Sequence, residues 1–111
     1  MEPPVKARMN EGFDAAFQHE VAEEKAEALG RTGRRLEHAL EQLRAHDHVS
    51  RDSRAAARRE RLLWDLAERV EAFAVHREAC GLRDTRHVLE LYAVPDEVMA
   101  RVGAKRPEQL L

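Results

Sequence analysis

The sequence predicts an all-α fold: a long antiparallel helical hairpin followed by two short helices. Alanine, leucine, glutamate and arginine, all strong helix formers, dominate the chain. Residues 5–94 contain no proline, so nothing of that kind interrupts a helix there. Alternating β-branched and polar residues are missing, as are the Asn-Gly and Asp-Gly pairs typical of β-hairpins.

The composition excludes several classes of protein. A chain of 111 residues corresponds to one domain. It has no apolar run of about 18 residues, so we expect no membrane span. A single cysteine excludes a disulfide framework and a cysteine-based zinc module. The net charge of -2 argues against a dedicated nucleic-acid binder, and the absence of an apolar leader in residues 1–9 indicates a cytoplasmic protein.

Helix 1 is predicted over residues 10–47, after a flexible arm at 1–9. Asn10 is a candidate N-cap, with acidic residues in the following turn. Steps of three and four residues then form a coiled-coil seam of small and apolar side chains: Ala22, Ala26, Leu29, Gly33, Leu36, Leu40 and Leu43. Because this periodicity continues across Gly30 and Gly33, we favour close helix packing at the glycines over a break.

Phe13, Phe17 and Val21 lie at steps of four and therefore drift to another side of helix 1. One straight partner helix cannot cover both this stripe and the seam. We therefore expect these side chains to meet a different surface, either the C-terminal helices or a second subunit.

Helix 2 is predicted over residues 51–79, with Ser50 or Asp52 as its N-cap. Gly81 and Leu82 predict a Schellman stop at its end. Its main apolar stripe consists of Leu62, Leu63, Leu66, Val70, Phe73 and Cys80. Trp64 and Val75 lie far round the helix from that stripe, so a second subunit or the C-terminal segment must cover a second side.

Residues 84–103 are predicted to form a short helix pair, with a tail at 104–111. Their pattern resembles a helix-turn-helix, which would indicate DNA binding. However, Leu89 is larger than the usual alanine, Ala93 replaces the usual glycine, and Asp96 and Glu97 would repel phosphate. We therefore favour a structural pair that caps the hairpin, with a DNA-associated regulator as the alternative.

An arginine stripe on helix 2 is a candidate anion-binding site: Arg51, Arg54, Arg58 and Arg61. The competing interpretation is ion pairing within the hairpin. If the chain folds back around residue 49, Arg58 faces Glu41 and Arg61 faces Glu37. We favour this pairing, because the glutamates lie at matching distances from the turn.

The six histidines do not predict a metal site. His19 and Glu23 share one helix face, as do His76 and Cys80, but no third ligand is apparent. His46 and His48, near a helix C-terminus, are expected to satisfy backbone carbonyls and the helix dipole. Cys80 also lies at a helix C-terminus, which disfavours its thiolate form. We therefore predict no cofactor, no metal and no enzymatic activity.

Two stretches, residues 24–37 and 76–98, resemble a family of small bacterial helical proteins of unknown function. The first contains Leu29-Gly30-Arg31-Thr32-Gly33-Arg34-Arg35-Leu36-Glu37, and the second contains Ala79-Cys80-Gly81-Leu82-Arg83-Asp84 and Tyr92-Ala93-Val94-Pro95. The resemblance implies a helical, cytoplasmic bacterial protein. It implies no activity, so it assigns no functional residue.

These patterns together predict a homodimer with bundle-like packing. The hypothesis is a non-enzymatic structural or protein-interaction module. The candidate interface residues are those outside the two main apolar stripes: Phe13, Phe17, Val21, Trp64 and Val75. We expect a second copy or another protein as the partner, with nucleic acid disfavoured.

Overall fold

The structure, a computed structural model, describes residues 5–49 and 53–111, and the side chains of residues 12–49 and 55–111. Within these residues, four α-helices follow one another: α1 (Val5–Val49), α2 (Ser53–Ala79), α3 (Thr85–Leu91) and α4 (Asp96–Met99). A 3-10 helix covers Glu108–Leu110. No strand occurs in the described residues. The prediction of an all-α hairpin with two short following helices is confirmed.

Helix α1 is longer at both ends than predicted. It begins at Val5, so the described part of the supposed arm at 1–9 is helical and Asn10 lies inside the helix. The five residues before Asn10 include no proline or glycine that would stop the helix; they are Val5, Lys6, Ala7, Arg8 and Met9. At the other end α1 continues to Val49. The predicted caps Ser50 and Asp52 lie outside the described residues.

The two central glycines leave α1 unbroken, as the continuing periodicity predicts. Gly33 is buried, and a Cβ atom there would lie 3.6 Å from Cε1 of Phe73. That distance is an ordinary van der Waals contact, so α1 and α2 lie close together here, but an alanine at this position would also fit.

The hydrophobic core lies between the C-terminal half of α1 and the middle of α2. Its buried side chains from the two long helices are Leu36, Ala39, Leu40, Leu43, Leu63, Leu66, Ala67, Val70 and Phe73, which include most of the predicted stripes. Leu89 of α3 and Val98 of α4 complete it. Ala22 and Ala26 of the predicted seam are exposed, so the seam is used only from Leu29 onwards.

Helix α2 ends in the Schellman motif that Gly81 predicts. The Leu82 N–H donates to Arg77 O at 3.0 Å, the Gly81 N–H donates to Glu78 O at 2.9 Å, and Gly81 has φ 75°. Leu82 itself remains exposed, so the expected apolar contact contributes little.

Helix α3 ends in the same way, but with alanine at the left-handed position. The Val94 N–H donates to Leu89 O, the Ala93 N–H donates to Glu90 O, and Ala93 has φ 57°. Helix α4 is a single turn that stops at Met99, four residues before the predicted end at Gly103.

The ion pairs of Arg59, Arg101 and Arg106 hold the C-terminal segment against the hairpin. Arg59 of α2 binds Asp47 of α1 and Glu97 of α4, with N–O distances of 2.7 Å to each. Arg101 binds Glu60 at 2.8 Å. Such charge-assisted bonds between elements fix the position of α4 on α2.

The predicted tail at 104–111 also packs on α2. Arg106 is 12% exposed, binds Asp65 at 2.6 Å and Glu68 at 3.3 Å, and donates from Nε to Leu110 O. The prediction of a simple tail is corrected by this anchor. A single arginine with partners on both α2 and the 3-10 helix orders the segment.

We predict that Ala93→Gly stabilises the protein by about 1 kcal/mol, because glycine removes the Cβ strain of a positive φ. Chemical denaturation measures the free energy of unfolding. Ala100→Gly is the matched control: Ala100 is exposed with φ -64°, so glycine there should not stabilise. Equal effects of the two substitutions would contradict the argument.

We also predict an acid-sensitive contribution from Arg59. Its hydrogen bonds lower the pKa of both Asp47 and Glu97 in the folded protein. Carboxyl groups with lowered pKa stabilise the fold above their unfolded pKa, and this stabilisation is lost as the pH falls through the folded pKa. Arg59→Met should therefore cost stability at neutral pH, and the difference from wild type should narrow below about pH 4.

Urea denaturation at a series of pH values checks this expectation. Arg58→Met is the control, because Arg58 is exposed and forms no ion pair within the described part of the chain. A difference between wild type and Arg59→Met that stays constant with pH would show that the two pairs contribute nothing through charge.

Candidate interaction surface

The N-terminal part of α1 extends beyond the end of α2. The Cys80 thiol donates to Lys25 O at 3.5 Å, which marks where α2 stops along α1. We call residues 12–24, on the far side of that point, the overhang. Phe13 is 72% and Phe17 57% exposed, while Val21 is half-buried. Three of the predicted interface side chains therefore lie together on or beside uncovered helix.

A shallow cleft of about 510 Å³ continues from the overhang to the end of α2. Its lining includes Phe17, Val21, Ala26, Ala79 and Cys80, so it is largely apolar. Apolar side chains that stay in water on a lone helix carry a hydration cost that a partner would remove.

The other two interface candidates lie elsewhere on α2. Trp64 is half-buried, and the Arg101 guanidinium lies over its ring at 5.8 Å from the centroid. The C-terminal segment therefore covers part of this side of α2. The sequence predicts that either this segment or a second subunit does so. Val75 remains 57% exposed.

The arginine stripe on α2 is not arranged as predicted. The side chains of Arg51 and Arg54 lie outside the described residues. Arg58 and Arg61 are exposed and do not pair with Glu41 and Glu37, respectively. Instead, Glu37 accepts a hydrogen bond from the Tyr92 hydroxyl at 3.1 Å.

The predicted pairs fail because the register of the hairpin differs from the expected one. Gly33 lies against Phe73, and Asp47 binds Arg59. The helices thus meet about two turns away from the alignment expected for a fold-back at residue 49. Arg59, beside the predicted stripe, becomes the interhelical arginine.

A basic cleft that the sequence reasoning did not single out lies between the two long helices. It has a volume of about 460 Å³ and is lined by basic side chains of both long helices: Arg31, Arg34, Arg35, His38 and Arg69. The available signal was the density of arginine within residues 30–35. Residues 30–35 were used for the family resemblance and were not identified as a binding surface.

These basic side chains form no ion pair within the described part of the chain. Two carboxylates, Asp65 and Glu68, also line the cleft, but both bind Arg106. The cleft therefore presents positive charge that the chain itself does not neutralise. Arginines in such a position suit a carboxylate or phosphate partner.

The overhang and the turn after it carry the opposite charge. Glu20, Glu23, Glu24 and Glu27 are all exposed, against one cation, Lys25, in the same stretch. Among the described residues, Glu23 is the one of these glutamates with an ion-pair partner, the ring Nε2 of His19 at 3.0 Å. Helix α1 is thus acidic in the overhang region and basic where it begins to pack on α2.

The histidines and the cysteine do not assemble a reactive site. His76 Nδ1 bonds to Ala72 O at 2.8 Å and Cys80 to a backbone carbonyl, so the two do not act on each other. The His46 side chain is 7% exposed, and its ring nitrogens have no hydrogen-bond partner in the described residues, contrary to the expected carbonyl contact; Nδ1 lies 3.7 Å from Oδ1 of Asp47. In the same residues, no group of three His, Cys, Asp or Glu side chains is placed to hold a metal ion.

None of the described helices combines the length and apolarity needed to cross a membrane. Comparison with curated proteins finds no match, and comparison with solved structures finds none. A family match covers residues 5–109, nearly the whole helical architecture described above. The chain belongs to the family of unknown function DUF6665.

Proposed function

We propose that this chain is a non-enzymatic, cytoplasmic helical protein of bacterial origin that acts as a homodimeric interaction or structural module. The supporting observation is the overhang, where Phe13 and Phe17 are exposed on a part of α1 that none of the other described elements covers. When a partner covers the apolar side of such a helix, the free energy falls because apolar surface leaves water.

Binding of a partner to this end of the molecule would be energetically favourable. An isolated helical segment has little stability in water, since most helix stability in proteins comes from tertiary packing. The buried core begins near Leu29, so the residues before it have little packing: Val21 is half-buried, and Phe13 and Phe17 are exposed. Coiled-coil-like contact with a second helix would stabilise the overhang and bury both phenylalanines.

Light scattering coupled to size-exclusion chromatography tests the proposal. We expect the wild-type chain to be a dimer at micromolar concentration. Phe13→Ser with Phe17→Ser should weaken the dimer at least about tenfold, because two large apolar side chains lose their buried contact. Leu91→Ser is a matched control, since Leu91 is equally exposed (73%) but lies on α3. A wild-type monomer that is well folded would contradict the proposal.

The second candidate is a DNA-associated regulator that uses residues 84–103. We rank it second because the key side chains of that segment are engaged: Glu97 binds Arg59, and Arg101 binds Glu60. Salt-sensitive DNA binding that is lost on Arg101→Ala would favour this candidate over the interaction module.

A further inference from the structure

Helix α1 carries a second stripe on the side opposite its core-facing seam. Its positions alternate by four and three residues and are all exposed: Phe13, Phe17, Glu20, Glu24, Glu27, Arg31, Arg34, His38, Glu41 and Ala45. The buried seam, with Leu36, Leu40 and Leu43, occupies the far side of the same helix. We call the exposed set the outer stripe.

The charges of the outer stripe are antisymmetric about residue 29. Three glutamates at 20, 24 and 27 precede that point, and Arg31, Arg34 and His38 follow it at the same distances. A second α1 that runs antiparallel about this point therefore brings Glu27 beside Arg31, Glu24 beside Arg34 and Glu20 beside His38. A parallel arrangement in register would place like charges together.

Neighbouring positions continue the same relation. Glu23 and Arg35 are also equidistant from residue 29, and both are exposed. Arg31, Arg34 and Arg35 line the basic cleft and have no ion-pair partner among the described residues. The arginines that hold the C-terminal segment are all paired within the chain. Apart from Glu23, which contacts His19, the charges that would pair with a second copy have no ion-pair partner among the described residues.

The outermost pair of the outer stripe fits the same alignment, whereas the next pair places Phe17 of one copy beside Glu41 of the other. Phe13 of one copy would lie beside Ala45 of the other. Ala45 borders a cleft of about 320 Å³ whose lining includes Leu62, Val49, Gln42 and the aliphatic stem of Arg58. An exposed aromatic side chain at each end of the contact would thus meet apolar surface, which adds hydrophobic burial to the central ion pairs.

We propose that the outer stripe is a self-complementary dimer interface, in which two α1 helices pair antiparallel about residue 29. The partner is a second copy of this chain, and its glutamates neutralise the arginines of the basic cleft. This inference rests on the proposed homodimer and adds its orientation, its register and its charge pairs.

Charge reversal in two complementary variants tests it. Variant one carries Glu20→Arg, Glu24→Arg and Glu27→Arg, and variant two carries Arg31→Glu, Arg34→Glu and His38→Glu. In each variant alone, the six positions that pair across the interface (20, 24, 27, 31, 34 and 38) carry like charges or histidine, so its dimer dissociation constant should rise roughly a hundredfold or more. An equimolar mixture should form a heterodimer, because every pair is then of opposite sign.

A third variant controls for net charge: Glu71→Arg, Glu78→Arg and Glu108→Arg change the charge as much as variant one, at exposed sites outside α1. It should dimerise like wild type. Circular dichroism checks that each variant is helical, and recovery in the mixture shows that neither variant is simply misfolded. A wild-type monomer would overturn the proposed function itself. A wild-type dimer that both variants preserve, or a mixture that stays monomeric, would overturn this interface alone.

Discussion

The difference in length between the two long helices is the constraint on which this structure depends. Helix α1 spans Val5–Val49, whereas α2 spans only Ser53–Ala79. An antiparallel hairpin of two such helices leaves the start of α1 uncovered, whatever side chains it carries. The core, the placement of the short helices and the exposed phenylalanines all follow from where α2 stops.

The covered half is stabilised by few but well-placed groups. Leucines from both helices and Val70 of α2 fill the core, and Gly33 lies against Phe73. Phe73 in turn packs edge-on against Tyr92, with ring centroids 5.9 Å apart. The Arg44 guanidinium donates to Tyr92 O at 3.0 Å, so the end of α3 is tied to α1 as well as α2. The core contains few aromatic residues, and the contacts of Phe73, Tyr92 and Arg44 add to its stability.

Local sequence signals predicted the elements well. The absence of proline, the glycine at position 81 and the apolar periodicity lead directly to two long helices and the Schellman stop. The alignment of the hairpin could not be predicted with the same accuracy, because it depends on a connection whose length the periodicity does not define. An error of two turns there was enough to assign Arg58 and Arg61 partners that they do not have.

The candidate surface was only partly accessible to sequence reasoning. Phe13 and Phe17 were identified because their spacing departs from the seam. The basic cleft was missed because its members belong to two helices, and only the hairpin brings Arg69 near Arg31, Arg34 and Arg35. Whether an arginine is free or paired also depends on the fold: Arg106 is anchored to Asp65, although nothing in its sequence neighbourhood indicates a partner.

In the proposed dimer, two α1 helices pair antiparallel about residue 29. Intermolecular distances between spin labels test it most directly, with Cys80→Ala as the background and a single cysteine at position 30 or 48. Antiparallel pairing predicts a short distance for position 30, about 20 Å or less, and a long one for position 48, roughly 55–60 Å. Short distances at both positions would mean a parallel dimer and would contradict the account.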